Sequence, residues 1–327
     1  MRICKQTFKD WTLPIAIVAG VMSYFLYTAI PVLAPYKGLT LNIISIVQPT
    51  LLFAMLFVAL CKVEPSQLRP HRWHLWLLLI QGGLFCLLAL ILIFLNACGP
   101  TQSSSFKGEL EGLFQGAMIC LICPTATAAA IVTQKIGGTI EGVVTYTVFI
   151  NILAALLIPA VVPLVYPQQG LGFVHSFWII MGRVFPMLIC PFFAALLVRY
   201  VFPSFHRRVI ATHDLAFYLW AVSLALGIAV STKSAMHAHA SLWLFVGLAL
   251  VSLATCIFQF WAGRVIGRRY GQPIAGSQAL GQKATVFGIW AAYTFLNPVS
   301  SLAPGFYSIF HNLWNTIQIN RYRKDEK

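Results

Sequence analysis

Along the 327 residues, long apolar stretches alternate with short polar, turn-rich connections. A run of about 20 mostly apolar residues is what a helix needs to cross a bilayer. Ten such stretches stand out, near 12–34, 39–61, 73–96, 110–133, 142–165, 177–201, 214–231, 241–263, 276–296 and 302–320. The pattern predicts an all-α polytopic membrane protein of ten transmembrane helices. The connections are tight, as at Pro35-Tyr36-Lys37-Gly38 and Pro167-Gln168-Gln169-Gly170, and none is long enough for a separate soluble domain. The first stretch follows Arg2, Lys5 and Lys9 as a signal peptide would. Its apolar run exceeds the roughly 7–15 residues of a signal core, so it reads as a span.

Composition supports the membrane reading. Hydrophobic residues make up 59% and charged residues only 9%, against about 25% charged in a soluble globular protein. The eight acids, Asp10, Glu64, Glu109, Glu111, Glu141, Asp214, Asp325 and Glu326, all avoid the middle of an apolar stretch. Soluble enzymes, nucleic-acid binders and disordered chains are excluded. The net charge of +14 reads as topology rather than as a nucleic-acid footprint. Of the 22 Lys and Arg residues, 17 fall at the two termini and in or beside the loops after spans 2, 4, 6 and 8. Only Lys37, Lys107 and Lys233 fall on the other side, while Arg183 and Lys283 lie inside spans. The positive-inside rule then puts both termini in the cytoplasm and supports an even number of spans. A multi-pass cell-membrane protein, of a bacterial inner membrane, is the expected setting. The eight cysteines behave as small hydrophobes of the spans. The pair Cys120-x-x-Cys123 lacks the second pair or the His of a metal site, and no metal or other cofactor is implied.

Ten spans divide into two sets of five, about residues 1–166 and 167–327. An odd number per half gives repeats of inverted topology, whose broken helices meet near the bilayer midplane. Spans 4 and 9 hold corresponding places and both are interrupted, the first at Cys123-Pro124-Thr125-Ala126-Thr127, the second at Gly281-Gln282-Lys283 and again at Gly288. A substrate site between them is the expectation.

Polar groups inside a bilayer are expensive and point to function. Lys283 is the sharpest, about eight residues into span 9, beside Gln282 and Thr285, and too deep to snorkel comfortably. It reads either as a structural partner of backbone carbonyls or as a fixed cation or titrating amine of the site. No carboxylate lies at its depth, so a sodium site there would need neutral oxygens alone. Gln81 in span 3 and Gln259 in span 8 are again matched between halves, and each reads as interhelical glue or as a site residue. His311, Asn312 and Asn315 make span 10 polar on one side. Arg183 reads as a snorkelling cation or an anion attractor. Gly112-x-x-x-Gly116 and Gly263-x-x-x-Gly267 read as close helix contacts.

Several of these segments, in order, resemble the bile acid:sodium symporter family over most of the chain. They are Gln48-Pro49-Thr50-Leu51-Leu52, Val63-Glu64-Pro65-Ser66-Gln67-Leu68, Cys123-Pro124-Thr125-Ala126-Thr127-Ala128, Leu280-Gly281-Gln282-Lys283, Ala303-Pro304-Gly305-Phe306 and Phe310-His311-Asn312. The resemblance implies ten spans, with 1, 2, 6 and 7 as a panel and 3–5 and 8–10 as a core in which broken spans 4 and 9 cross. It implies carriage of organic anions, from bile acids and sterol sulfates to small carboxylates, usually driven by sodium. Gln81, Thr127, His311 and Asn312 match positions that the family uses for ions or substrate. Other positions depart from the family: its span-4 Ser-Asn is Ala129-Ala130 here, its span-9 Glu aligns with Ala279, its Gln with Lys283 and its Asn with Ala284. Thr147 survives as a span-5 ligand. The expected substrate-binding set is therefore Thr127, Lys283, His311, Asn312 and Gln81, and the ion-coupling set is Lys283, Gln282 and Thr147, with the Lys283 ammonium standing in for sodium. The expected partners are a small organic anion and the lipid bilayer, not nucleic acid. Other readings are a ten-helix drug/metabolite-type exporter, a non-transporting receptor or a membrane enzyme, although no catalytic set is visible.

Overall fold

The structure, a computed structural model, describes residues 2–30, 37–98, 105–167, 170–212, 214–237 and 241–325. Its regular elements, among these residues, are helices: α1 (Arg2–Ala29), α2 (Lys37–Cys61), α3 (Arg72–Cys98), α4 (Ser105–Ile122), α5 (Ala128–Lys135), α6 (Ile140–Val165), α7 (Phe173–Leu188), α8 (Cys190–Val201), α9 (Pro203–Ala211), α10 (Leu215–His237), α11 (Leu242–Arg269), α12 (Pro273–Gly281), α13 (Thr285–Phe295) and α14 (Leu302–Asp325). A short 3₁₀ turn, Pro298–Ser301, joins α13 to α14.

Among the described residues, seven segments are long and apolar enough to cross a bilayer: Thr12–Ala29, Asn42–Cys61, Arg72–Ala97, Ile140–Val165, Phe173–Val201, Leu215–His237 and Leu242–Arg269. The difference from ten has identifiable causes. The stretch 110–133 is cut into α4 and α5, and 276–296 into α12 and α13, each half short for a span. The stretch 302–320 forms α14, whose His311, Asn312, Asn315 and Gln318 dilute its apolar character. Other expected ends agree within about five residues, but α1 begins at Arg2 and stops at Ala29, with residues 31–34 outside the described residues. Both α10 and α11 run six residues past the expected ends, to His237 and Arg269. The stretch 177–201 becomes α7 and α8, interrupted at Ile189, where Pro191 has no N–H to continue the helix.

In the packing, α2 and α10 bind α1, α7 and α8, and α11 gathers α4, α12 and α14, while α3 packs on α4 and α6. Packing of α6 on α7 and of α10 on α13 joins these two groups of helices. The face turned outward is apolar, with Ile46, Phe94 and Trp178 each about two-thirds exposed, as a lipid-facing surface requires. Polar side chains such as Gln48, Gln81, Gln259, Gln278 and Lys283 are buried. Lipid tails give no hydrophobic drive between helices, so close backbone approach matters instead. Gly263 and Gly267 of α11 lie directly on the backbone of Gly276 and Gln272, with no room for a Cβ.

Candidate functional site

Two helices break and cross in the middle of the protein. On the first side the cause is local. Pro124 biases Cys123 away from helical geometry, so α4 ends at Ile122 and the chain leaves the helix through Thr125 before turning at Ala126 and Thr127 into α5. On the second, α12 ends at Gly281, where the Phe260 ring fills the space of a side chain. Gln282 is then extended, with φ −91° and ψ 105°. The two extended pieces pair: Thr125 and Lys283 form an isolated antiparallel bridge. Ala126 N–H donates to the Gln282 carbonyl and Ala284 N–H to the Pro124 carbonyl, both at 2.8 Å.

A broken helix inside a membrane leaves carbonyls that lipid cannot satisfy. Four of them are answered by side chains. Gln81 Nε2 donates to Cys123 O at 3.0 Å and Gln259 Nε2 to Cys120 O at 3.3 Å. Thr125 Oγ1 donates to Ala279 O at 2.6 Å and Tyr307 Oη to Gly281 O at 2.7 Å. The Gln residues are themselves tied to tyrosines, Tyr146 Oη donating to Gln81 Oε1 at 2.8 Å and Gln259 Nε2 donating to Tyr307 Oη at 3.2 Å. Both Gln residues thus hold the first break, Gln81 of α3 backed by Tyr146 of α6 and Gln259 of α11 by Tyr307 of α14, and Tyr307 reaches the second break as well.

In front of the crossing lies a cavity of about 430 Å³. Its inner wall carries Thr127, Thr147, Gln282, Lys283, His311 and Asn312, so the structure brings six of the seven expected residues to one place. Gln81 stands apart, behind the break, holding the Cys123 carbonyl. Its outer wall is apolar, with Leu52, Met55 and Leu56 of α2 and Trp220 of α10. The lining continues to Lys62, Ile140 and Ala216, at the ends of α2, α6 and α10 on one side of the molecule. On the other side the two groups of helices touch: Tyr293 Oη donates to Gln48 Oε1 at 2.8 Å, and the Ser231 and Ser301 hydroxyls pair at 2.9 Å.

Lys283 is 1% exposed, and its Nζ has no hydrogen-bond partner. The titratable groups acting on it are the thiols of Cys123, Cys120 and Cys256; no Asp or Glu is buried among the described residues. The first turns of α5 and α13 also line the cavity, and helix N-termini carry partial positive charge. An ammonium and two helix starts make this wall suited to an anion. Asn151, buried in the same wall, escaped the sequence reading. Its signal was the four-residue step from Thr147, which puts both on one helix face. The tyrosines behind the breaks were also missed, although both Gln residues were noticed. Gly288, taken as part of an interruption, lies within α13, where Cys123 Sγ and Pro304 occupy the room of a side chain.

The family model of the sodium bile acid symporters matches residues 49–238, more than half of the chain. The chain belongs to that family. The match runs from α2 to the end of α10 and so includes the first broken helix; Lys283 lies beyond it. No curated protein matches the chain. The sodium bile acid symporters are a family of transporters, not of enzymes.

Proposed function

We propose that the protein is a secondary active transporter of an organic anion (bile-acid-like, sterol sulfate or small carboxylate) that works without sodium. The Lys283 ammonium stands in for the sodium charge. The single observation behind this reading is Lys283 itself, a partnerless cation held by a backbone bridge in the floor of the cavity. A second cation at short range would be repelled by several kcal/mol even at an effective dielectric of about 20, whereas an anion would be attracted.

The movement in this reading is alternating access. Ten spans form two inverted sets of five, about 1–166 and 167–327, with α4–α5 and α12–α13 each counted as one broken span and α14 as the tenth. A panel of α1, α2, α7–α8 and α10 rocks against a core of α3–α6 and α11–α14. Both termini are cytoplasmic, so the cavity mouth at Lys62 faces the cytoplasm and the contacts at Gln48–Tyr293 and Ser231–Ser301 close the opposite path. A thermal-shift screen of bile acids, sterol sulfates and small carboxylates, each in sodium and in potassium salts, tests the reading. One class should raise the melting temperature equally in both salts, and Lys283→Gln should lose that rise. Stabilisation seen only in sodium would mean that neutral oxygens hold the ion and that the role given to Lys283 is wrong.

A further inference from the structure

Twelve buried side-chain polar atoms lack a hydrogen-bond partner among the described residues, and six of them belong to α12, the two residues that follow it and α14. A seam runs between α12 and α14. On α14, Ser308, His311 and Asn315 follow at steps of three and four residues, hence on one face, and all are buried. Gln278 on α12 and Gln282 just past its end are buried as well. Gln278 Nε2 bridges the helices by donating to Asn315 Oδ1 at 3.1 Å and to Gln318 Oε1 at 2.7 Å. Ser308 Oγ, His311 Nδ1, Asn315 Nδ2, Gln278 Oε1, Gln282 Oε1 and Lys283 Nζ remain unpaired. Donors and acceptors are mixed along this line, and Gln318 at its far end is only half-buried, near where α14 ends. Water is the group that satisfies such a set, since it donates and accepts and bridges two to four polar partners.

We propose that the α12/α14 seam holds a file of water that carries protons to Lys283, and that the transporter takes up one proton there with each anion. The inference rests on the organic-anion reading above. An unpaired ammonium in the membrane interior is costly, and an anion in the cavity offsets that cost. Anion and proton therefore favour each other's binding, and by linkage the effect is reciprocal. In the uptake step the Nζ lone pair accepts a proton from a hydronium in the file, an N–H bond forms and a water is left behind. Once the cavity faces the other side and the anion leaves, the ammonium returns its proton to water. The groups facing this centre are Cys120 of α4, Cys123 of the break, Cys256 of α11, and Tyr307 and His311 of α14; α6 offers Thr147 and Asn151. None is a carboxylate that could hold the ammonium charged between turns.

Proteoliposomes of the full chain with a trapped pH-sensitive dye test this, with anion uptake and lumenal pH read together. The probes are a taurine-conjugated bile salt, a steroid sulfate and gluconate, which stay ionised throughout the neutral range. Uptake of one of them should acidify the lumen by one proton per anion, and an inward proton gradient should drive accumulation without sodium. Acidification should raise anion affinity by about fivefold or more. Lys283→Arg keeps a charge that cannot be released, so it should bind the anion and move no proton. Asn315→Leu, which blocks the seam away from the cavity, should retain the anion-induced thermal shift and slow proton-coupled uptake. Anion uptake with no proton movement overturns the inference and leaves the anion reading standing. Failure of all three anions to enter overturns both.

Discussion

Thr125 and Lys283 pair as an antiparallel bridge between two helices, each of which breaks where the other can complete its hydrogen bonds. The extended pieces are thus a joint feature of the two halves. Ala284→Pro probes this directly. Ala284 has φ −74°, which proline tolerates, but its N–H donates to Pro124 O. Removing that donor strands a buried carbonyl, at about 1–3 kcal/mol. The melting temperature of the purified protein should fall, while Gly182→Ala, where a Cβ meets nothing within 4 Å, should leave it unchanged.

The Gln–Tyr pairs give an unequal prediction. Tyr307 Oη both donates to Gly281 O and accepts from Gln259, whereas Tyr146 Oη has only its bond to Gln81. Tyr307→Phe should therefore destabilise more than Tyr146→Phe, each by an amount on the order of 1–3 kcal/mol. Thermal melts of the two variants in the same detergent decide it; equal losses would mean that Gly281 O finds another donor.

Close backbone contact predicts a sharper failure. A Cβ at Gly263 runs into the Gly276 carbonyl, backbone against backbone, with no side chain able to swing away. Gly263→Ala should cost several kcal/mol if α11 and α12 cannot separate, within the range of overpacked interiors at about 1–3 kcal/mol or more. Gly108→Ala, in open space, should be silent. Folded yield by size-exclusion chromatography separates the two.

How far the sequence carried depended on the type of signal. Apolar run length located the helices because bilayer thickness imposes it, and Pro124 announced the first break. The second break carries no proline and was legible at Gly281-Gln282-Lys283 as a glycine beside polar residues; what holds it, the Phe260 ring over Gly281 and the pairing with residues 124–126, consists of contacts distant in sequence. Lys283, His311 and Asn312 were legible because polar groups in apolar stretches are conspicuous. Gln81 was conspicuous for the same reason, yet it faces the carbonyl of Cys123 rather than the cavity, and helix orientation is something a single glutamine does not encode. The run of polar residues on α14 was visible as a patch, but its lack of partners emerges only once α12 is laid beside it.

In the proposed mechanism, the bond from Tyr293 of α13 to Gln48 of α2 and the Ser231–Ser301 contact help to close the path opposite the cavity mouth; Tyr293→Phe removes the first of them. The balance should move toward opening on that side. A membrane-impermeant maleimide, added from the face opposite Lys62, should then modify Ala235→Cys, one turn beyond Ser231 and buried, faster in the Tyr293→Phe background than without it. An unchanged rate would place the closing contact elsewhere.

The replacement of a sodium ion by the Lys283 ammonium is tested most directly by the initial rate of bile-salt, sterol-sulfate or carboxylate uptake into proteoliposomes as sodium replaces potassium at constant ionic strength. For whichever anion is transported, a flat rate across the titration is the predicted result. A strong, saturable rise with sodium would contradict it, because an ion would then be occupying a place that the ammonium was meant to fill.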